Sequence, residues 1–231
     1  MMFIDRRDAG LRLAERLKDL RGRDVVILGL PRGGVPVAFE VARALGLPLD
    51  VIVVRKLGMP SQPELAMGAI GEGGVRIVNQ ELRQWGDVAG GEIAAVERRE
   101  QAELESRVTR LRAGRPRIPL KGRTAVIVDD GVATGSTARA ACQVARAQGA
   151  SQVVLAVPVA TAEAAEALRD TADEVVCLQT PDFFYAVGQW YEDFSQVPDE
   201  EVVGLLKRAA QEPSGAPGQD PGPLNSVPSG R

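Results

Sequence analysis

Short continuous runs of valine, isoleucine and other apolar residues constrain this chain most. They lie at 25–30, 51–54, 124–128, 153–157 and 175–178. Because they are continuous rather than alternating, each predicts a strand covered on both faces. Most lead through a turn into a helix-like amphipathic stretch, an order that predicts βαβ units. The expected fold class is α/β, a parallel twisted sheet flanked by helices. Ligands of such sheets bind at the carboxyl ends of the strands, so the residues just after each run are the ones that bear on function.

The segments outside the runs predict the rest of the organisation. Residues 5–20 read as a helix with Leu13, Leu17 and Leu20 on one face. Residues 92–112 read as a longer helix, in which Ile93, Val96, Leu104, Val108 and Leu111 form a narrow apolar seam amid dense charge. That charge is read as a solvated face, with a dimer-forming arm as the alternative. Residues 213–231 contain five prolines and four glycines and read as a disordered tail. A single domain is expected over 1–212, with its core at about 24–180.

Composition removes several kinds of chemistry. None of the 231 residues is histidine, which excludes Ser-His-Asp and Cys-His machinery, His-ligated zinc and an imidazole titrating near pH 7. Lys and Arg number 28 against 31 Asp and Glu, for a net charge of −3. That balance gives no overall electrostatic case for nucleic acid as a partner. Cys142 and Cys177 match no metal-ligand spacing and fit a reducing compartment. No apolar run approaches about 18 residues, and residues 1–20 carry charge throughout, so neither a membrane span nor a secretory leader is expected. The expected location is cytoplasmic.

The run at 124–128 ends in Asp129-Asp130-Gly131-Val132-Ala133-Thr134-Gly135-Ser136-Thr137, followed by an alanine-rich helix. Backbone N–H groups and hydroxyls opening a helix form an anion site, because unsatisfied donors and the helix dipole both favour negative charge. Two carboxylates can accept hydrogen bonds from vicinal hydroxyls or hold a divalent cation. Together these groups suit a sugar phosphate, with its diol on the aspartates and its phosphate in the loop. Neither a Gly-Lys-Ser/Thr phosphate loop nor a Gly-x-Gly-x-x-Gly dinucleotide fingerprint is present.

The segment 126–137 resembles the phosphoribosyl-pyrophosphate (PRPP) signature of type I phosphoribosyltransferases, here in a branch of uncharacterised substrate. Two more segments agree with that resemblance. Gly29-Leu30-Pro31-Arg32-Gly33-Gly34 follows the first run, where the family places a pyrophosphate loop, often with a strained or cis peptide. The implied pyrophosphate contacts are Arg32, Gly33 and Gly34. Arg55 and Lys56 end the second run, where the family places a cation against the diphosphate. The resemblance thus implies catalytic roles for Arg32, Arg55 and Lys56, and PRPP binding by Gly33, Gly34 and residues 129–137. It also implies Mg²⁺ as cofactor, touched by Asp129 and Asp130 directly or through water or ribose hydroxyls.

Two features depart from the family pattern. The position before Thr134 is Ala133, whereas members acting on 6-oxopurines carry an acid there, so guanine and hypoxanthine are disfavoured. The mobile catalytic loop is not evident. Residues 57–75, rich in glycine, are the candidate lid, with Glu64 and Glu72 as candidate contacts to metal or substrate and solvated carboxylates as the plainer reading.

Aromatic residues gather at 183–194: Phe183, Phe184, Tyr185, Trp190, Tyr191 and Phe194. In the resembled family a small hood over the strand ends recognises the nitrogenous acceptor. Phe183, Phe184, Tyr185 and Trp190 are the candidate acceptor contacts, because aromatic rings stack on flat heterocycles. A subcore pinning the helix near 199–211 is the alternative. The hood is placed at about 181–198, with the N-terminal helix as a further candidate part. The expected function is transfer of the phosphoribosyl group from PRPP to a nitrogenous, heterocyclic acceptor. A PRPP-binding regulator of the same fold is the alternative, and a homodimer is the default assembly.

Overall fold

A computed structural model describes residues 2–59, 62–78 and 90–211, and their side chains except at 62–66, 78 and 90–92. The tail at 213–231 lies outside the described residues. Helix α1 (Arg6–Arg16) starts at Asp5, whose side chain caps the Asp8 N–H, and a short 3₁₀ turn, Lys18–Leu20, follows it. The expected helix over 5–20 is thus two pieces, with Leu13 and Leu17 buried and Leu20 packed at the core margin.

Five strands form one parallel sheet: β1 (Val25–Gly29), β2 (Leu49–Val51), β6 (Thr124–Val128), β7 (Gln152–Val159) and β8 (Glu174–Gln179), in the order β2-β1-β6-β7-β8. Alternate residues of each central strand enter different cores. Val25, Ile27, Val126 and Val128 meet α1, α2 (Gly34–Leu45) and α6 (Asp199–Gln211) on one face. Val26, Leu28, Ala125 and Ile127 meet α4 (Ser136–Ala147) and α5 (Ala162–Leu168) on the other. Two buried faces explain the continuous apolar runs. After β1 the chain crosses to β2 on one side, and after β6 it crosses to β7 on the other. The carboxyl ends of β1 and β6 therefore flank the switch point of the sheet, where open α/β sheets leave a ligand crevice.

The second run is not one strand. β2 ends at Val51, and β3 (Val54–Met59) begins a separate antiparallel sheet with β4 (Gln62–Gly71) and β5 (Val75–Val78). Arg55 and Lys56 therefore open a second sheet instead of ending a parallel strand. The same sheet occupies most of the candidate lid at 57–75. Its glycines serve a turn, since Gly73 and Gly74 have φ of +82° and +78° between β4 and β5. Pro60 and Ser61 lie outside the described residues, as does the side chain of Glu64. Glu72 is buried and both its carboxylate oxygens are taken by Arg112, so it is not a solvated loop carboxylate.

Helix α3 (Gly90–Arg112) carries the charged seam segment. Leu104 and Leu111 are buried, and Ile93, Val96 and Val108 pack against the same core. The seam faces the chain's own β3 and α6, which accounts for it without a partner copy.

Candidate active site

The PRPP-like segment sits at the switch point. Asp129 and Asp130 follow β6, and the Asp130 N–H donates to Asp129 Oδ1 at 2.9 Å. Burial, and then the charge of Asp130, holds the Asp129 carboxyl well above the ordinary carboxylate range. Burial also raises Asp130, while Arg6 opposes the shift. Arg6 Nε donates to Asp130 Oδ2 at 2.8 Å, and its Nη1 donates to the Ser195 carbonyl at 2.8 Å. Its guanidinium also lies 4.0 Å from the Phe194 ring centroid.

The loop after β1 is pressed against this pair. Leu30 N–H donates to Val128 O at 2.8 Å, and the Pro31–Arg32 peptide is cis. A Cβ on Gly34 would stand 2.5 Å from Val128 O and 2.8 Å from Asp129 Cα. One on Gly33 would overlap Asp130 Oδ2 outright. Only glycine lets the two loops approach this closely. Arg32 is exposed, with Nη1 at 3.9 Å from Asp199.

Residues 131–137 run from the acid pair into α4. Val132 N–H donates to Val159 O at 2.9 Å, and Thr161 Oγ1 donates to Ala133 O at 3.0 Å. Those bonds fix the first half of the loop on the neighbouring β7 end. Thr134 Oγ1 and Ser136 Oγ are 3.0 Å apart, and Gly135 precedes the helix with a φ of +76°. The first-turn amides of α4 have no acceptor one turn back, so this end can take an anion.

Arg55 and Lys56 line a cleft of about 510 Å³ with Leu30, Pro31, Met59, Arg99, Glu100, Arg107 and Thr137. Arg55 Nη2 is 2.6 Å from Glu100 Oε2. Burial alone would raise the Glu100 pKa, but bonds to Arg99 and Arg55 override it and hold the carboxyl below its ordinary range. Arg107 Nη2 donates to the Pro31 carbonyl at 3.0 Å. The structure thus gathers Gly33, Gly34, Asp129, Asp130 and residues 131–137 at one end of the sheet, and Arg55 and Lys56 line a neighbouring cleft that meets these loops at Leu30, Pro31 and Thr137.

The 181–194 segment stands over the acid pair's backbone. Tyr191 Oη donates to Asp130 O at 2.5 Å, and a Cβ on Gly131 would stand 2.5 Å from Val187 Cγ1. Tyr191 is buried with Phe3, and Phe184, Trp190 and Phe194 pack beside them. Phe184 stacks on Trp190 with centroids 6.5 Å apart. Phe183 and Tyr185 are 78% and 88% exposed. A subcore does exist here, but it pins the N-terminal segment and not α6. Phe3 N–H donates to Trp190 O, and Glu192 N–H donates to Phe3 O, both at 2.8 Å.

With this geometry in view, comparison with known proteins is decisive at the level of family. Residues 8–195 match the model described as the phosphoribosyl transferase domain. The chain belongs to that family. A protein from two strains of Mycobacterium tuberculosis, named as a proposed phosphoribosyl transferase, is 60% identical over 208 residues. That match covers 90% of this chain and 47% of the relative, so the chain spans about half the length of the curated relatives it matches. A crystal structure from Thermus thermophilus is 48% identical and superposes with a TM-score of 0.84, covering 90% of this chain and 99% of its own. The parallel sheet with flanking helices is thus the type I phosphoribosyltransferase fold.

Sequence reasoning did not find Arg6, Tyr191 as a tether, or Arg107. Arg6 reaches a residue 124 positions away, and Arg107 is one of several arginines in α3. The uneven aromatic clustering was the one available signal, and it pointed to Tyr191's segment without giving its role. Among the described residues no helix is long and apolar enough to cross a membrane.

Proposed function

We propose that this chain transfers the 5-phosphoribosyl group of PRPP to a nitrogenous, heterocyclic acceptor with release of pyrophosphate. The observation that carries the reading is the close packing of Gly33 on Asp130 and Gly34 on Asp129. It joins a loop suited to diphosphate with a carboxylate pair suited to a diol, at one end of one sheet. Asp129 and Asp130 accept bonds from the ribose hydroxyls, and residues 131–137 hold the 5′-phosphate at the α4 N-terminus. Arg32, Arg55 and Lys56 stabilise the departing diphosphate. The C1–O bond breaks with its electron pair leaving on the diphosphate. The acceptor nitrogen's lone pair forms the new C1–N bond, and the acceptor's proton passes to solvent. No histidine is needed for such a step, and the chain has none.

The donor set fits Mg²⁺ only together with substrate. Among the described residues there is no cluster of three or more acidic or thiol ligands, and one Asp130 oxygen is engaged by Arg6. Mg²⁺ commonly binds one or two carboxylates plus substrate oxygens, which Asp129 and Asp130 can provide directly or through water. When bound, it supplies neutralisation of diphosphate charge. For the acceptor, Phe183 and Tyr185 offer exposed rings. Trp190 Nε1 is buried without a partner among the described residues, so Trp190 offers the acceptor its ring and not an accessible donor. The absence of an acid at Ala133 favours an acceptor other than guanine or hypoxanthine.

The test is to incubate the protein with PRPP, Mg²⁺ and single bases while monitoring pyrophosphate, alongside calorimetry of PRPP binding. Release with one base supports transfer. Asp129→Asn with Asp130→Asn should weaken PRPP binding by about 100-fold, the loss of two charge-assisted grips. Unchanged affinity overturns the site. PRPP binding without release across a broad panel of bases favours a regulator over an enzyme.

A further inference from the structure

Helix α3 contributes an arginine to the cleft that neither the motif nor the strand ends supply. Arg107 lines the cleft and donates to the carbonyl of Pro31, the residue that opens the cis peptide of the β1 loop. Its surroundings are rich in positive charge and poor in acid. Among the described residues, the ion pairs here run from Arg55 and Arg99 to Glu100, and from Arg32 and Arg110 to Asp199. None of them includes Arg107. Like charges concentrated in a partly dry cleft repel one another unless an anion joins them. Burial lowers the Arg107 pKa most; Asp199 opposes this, and Arg55, Arg32 and Arg110 add to the lowering.

We propose that Arg107 is a diphosphate-binding residue, reaching from α3 to grip the leaving group together with Arg55, which lines the same cleft. The identity of the anion rests on the PRPP reading; the anion site itself rests on the clustered arginines. A planar fork already fixed by one bond to Pro31 keeps further N–H groups for phosphate oxygens. Glu100 holds Arg55 until a diphosphate arrives, and the anion then bridges Arg55 and Arg107 within the cleft they share. This arrangement gives α3 the part of a clamp in addition to that of a packing element.

The experiment is calorimetry of the full chain with inorganic pyrophosphate plus Mg²⁺, with ribose 5-phosphate, and with PRPP. The variants are Arg107→Gln and Arg107→Lys. Arg107→Gln should weaken pyrophosphate and PRPP binding by about 30-fold, and Arg107→Lys less, since charge survives but the fork does not. Ribose 5-phosphate affinity should change by less than about 2-fold. If Arg107 only braced the loop, the displaced Gly33 and Gly34 would disturb Asp130 and Asp129, and ribose 5-phosphate would weaken as well. Equal loss for all three ligands, or no loss of pyrophosphate, overturns the proposal and leaves the PRPP reading intact. If the unmodified chain binds pyrophosphate but not PRPP, the PRPP reading fails, while loss of pyrophosphate in Arg107→Gln still supports the anion site. If it binds neither, both fail.

Discussion

Burying two adjacent carboxylates is costly, and the cost sets how this site responds to pH. Asp129 and Asp130 both have raised pKa values, from burial first and, for Asp129, then from the charge of its neighbour. For an acid whose folded pKa exceeds its unfolded one, the native state binds more protons, so stability rises as pH falls from above the folded pKa towards the unfolded one. The diol grip needs the ionised pair, so PRPP affinity should fall over the same range in which stability rises. Asp129→Asn keeps an oxygen for the Asp130 N–H and removes a buried like charge. It should therefore stabilise the protein at pH 7 by about 1 kcal/mol, or about 2–4 °C in Tm, while weakening PRPP binding by about 10-fold, the loss of one of the two grips. A lower Tm at pH 7 would show that the carboxylate is stabilising in the folded state. Arg6 belongs to the same scale, because its bond fixes one Asp130 oxygen. Arg6→Gln should reduce the preference for ribose 5-phosphate over its 2-deoxy analogue by about 10-fold, with Arg6→Lys retaining part of it. An unchanged preference would reduce Arg6 to a tether for the 194–195 segment.

Between elements, one arginine joins four pieces of chain. Arg112, in the last turn of α3, donates to Asp50 Oδ1 at 2.8 Å from Nη1 and to both Glu72 oxygens at 2.6 Å. Asp50 Oδ2 also accepts the Ile118 N–H at 2.8 Å. The network therefore ties β2, the β4–β5 turn, α3 and the approach to β6, all in buried surroundings. Bonds and charge from Glu72 and Asp50 raise the guanidinium's pKa against the opposing effect of burial. Arg112→Met should cost about 3–5 kcal/mol in denaturant unfolding, because two carboxylates stay buried and unpaired. Adding Asp50→Asn and Glu72→Gln should recover part of that loss; a triple variant no more stable than the single one would place the energy in packing instead. The network also marks the limit of what the sequence could tell. The parallel strands were legible because double-sided burial writes itself as unbroken Val-Ile runs. The second sheet was not, because Val54-Arg-Lys-Leu-Gly-Met59 mixes charge and glycine in a strand with only Leu57 fully buried. Glu72 looked like a loop carboxylate because its partner lies 40 residues away. The PRPP-like segment was legible for the opposite reason: its chemistry is contiguous, whereas Arg6 and Arg107 reach the site only through folding.

At the scale of the whole molecule, the two cysteines report on different openings of one sheet. Cys142 is on the sheet-facing side of α4, with no exposed surface. Burial pushes its thiol up to about 12, with Arg146 and Arg139 opposing. Cys177 sits in edge strand β8, half-buried, and its Sγ donates to Gln179 O at 3.1 Å. Burial raises its pKa as well, by an amount offset by backbone bonds at Gln179 and Ala160. At pH 8, alkylation of Cys142 should run on the order of 1,000-fold slower than that of a free thiol, because almost none is thiolate and α4 must leave first. Cys177 should react sooner, through local fraying of the edge. The carboxyl ends of β1 and β6 hold the candidate site, and α4 springs from the phosphate loop. A bound sugar phosphate therefore protects whatever opening exposes Cys142, slowing its labelling by a factor near 1 + [L]/Kd. Cys177, reached through the far edge, should keep its rate when ligand is added. Equal protection of both thiols would mean that the edge strand opens only with the whole sheet, and that the molecule unfolds as one cooperative unit from β2 to β8.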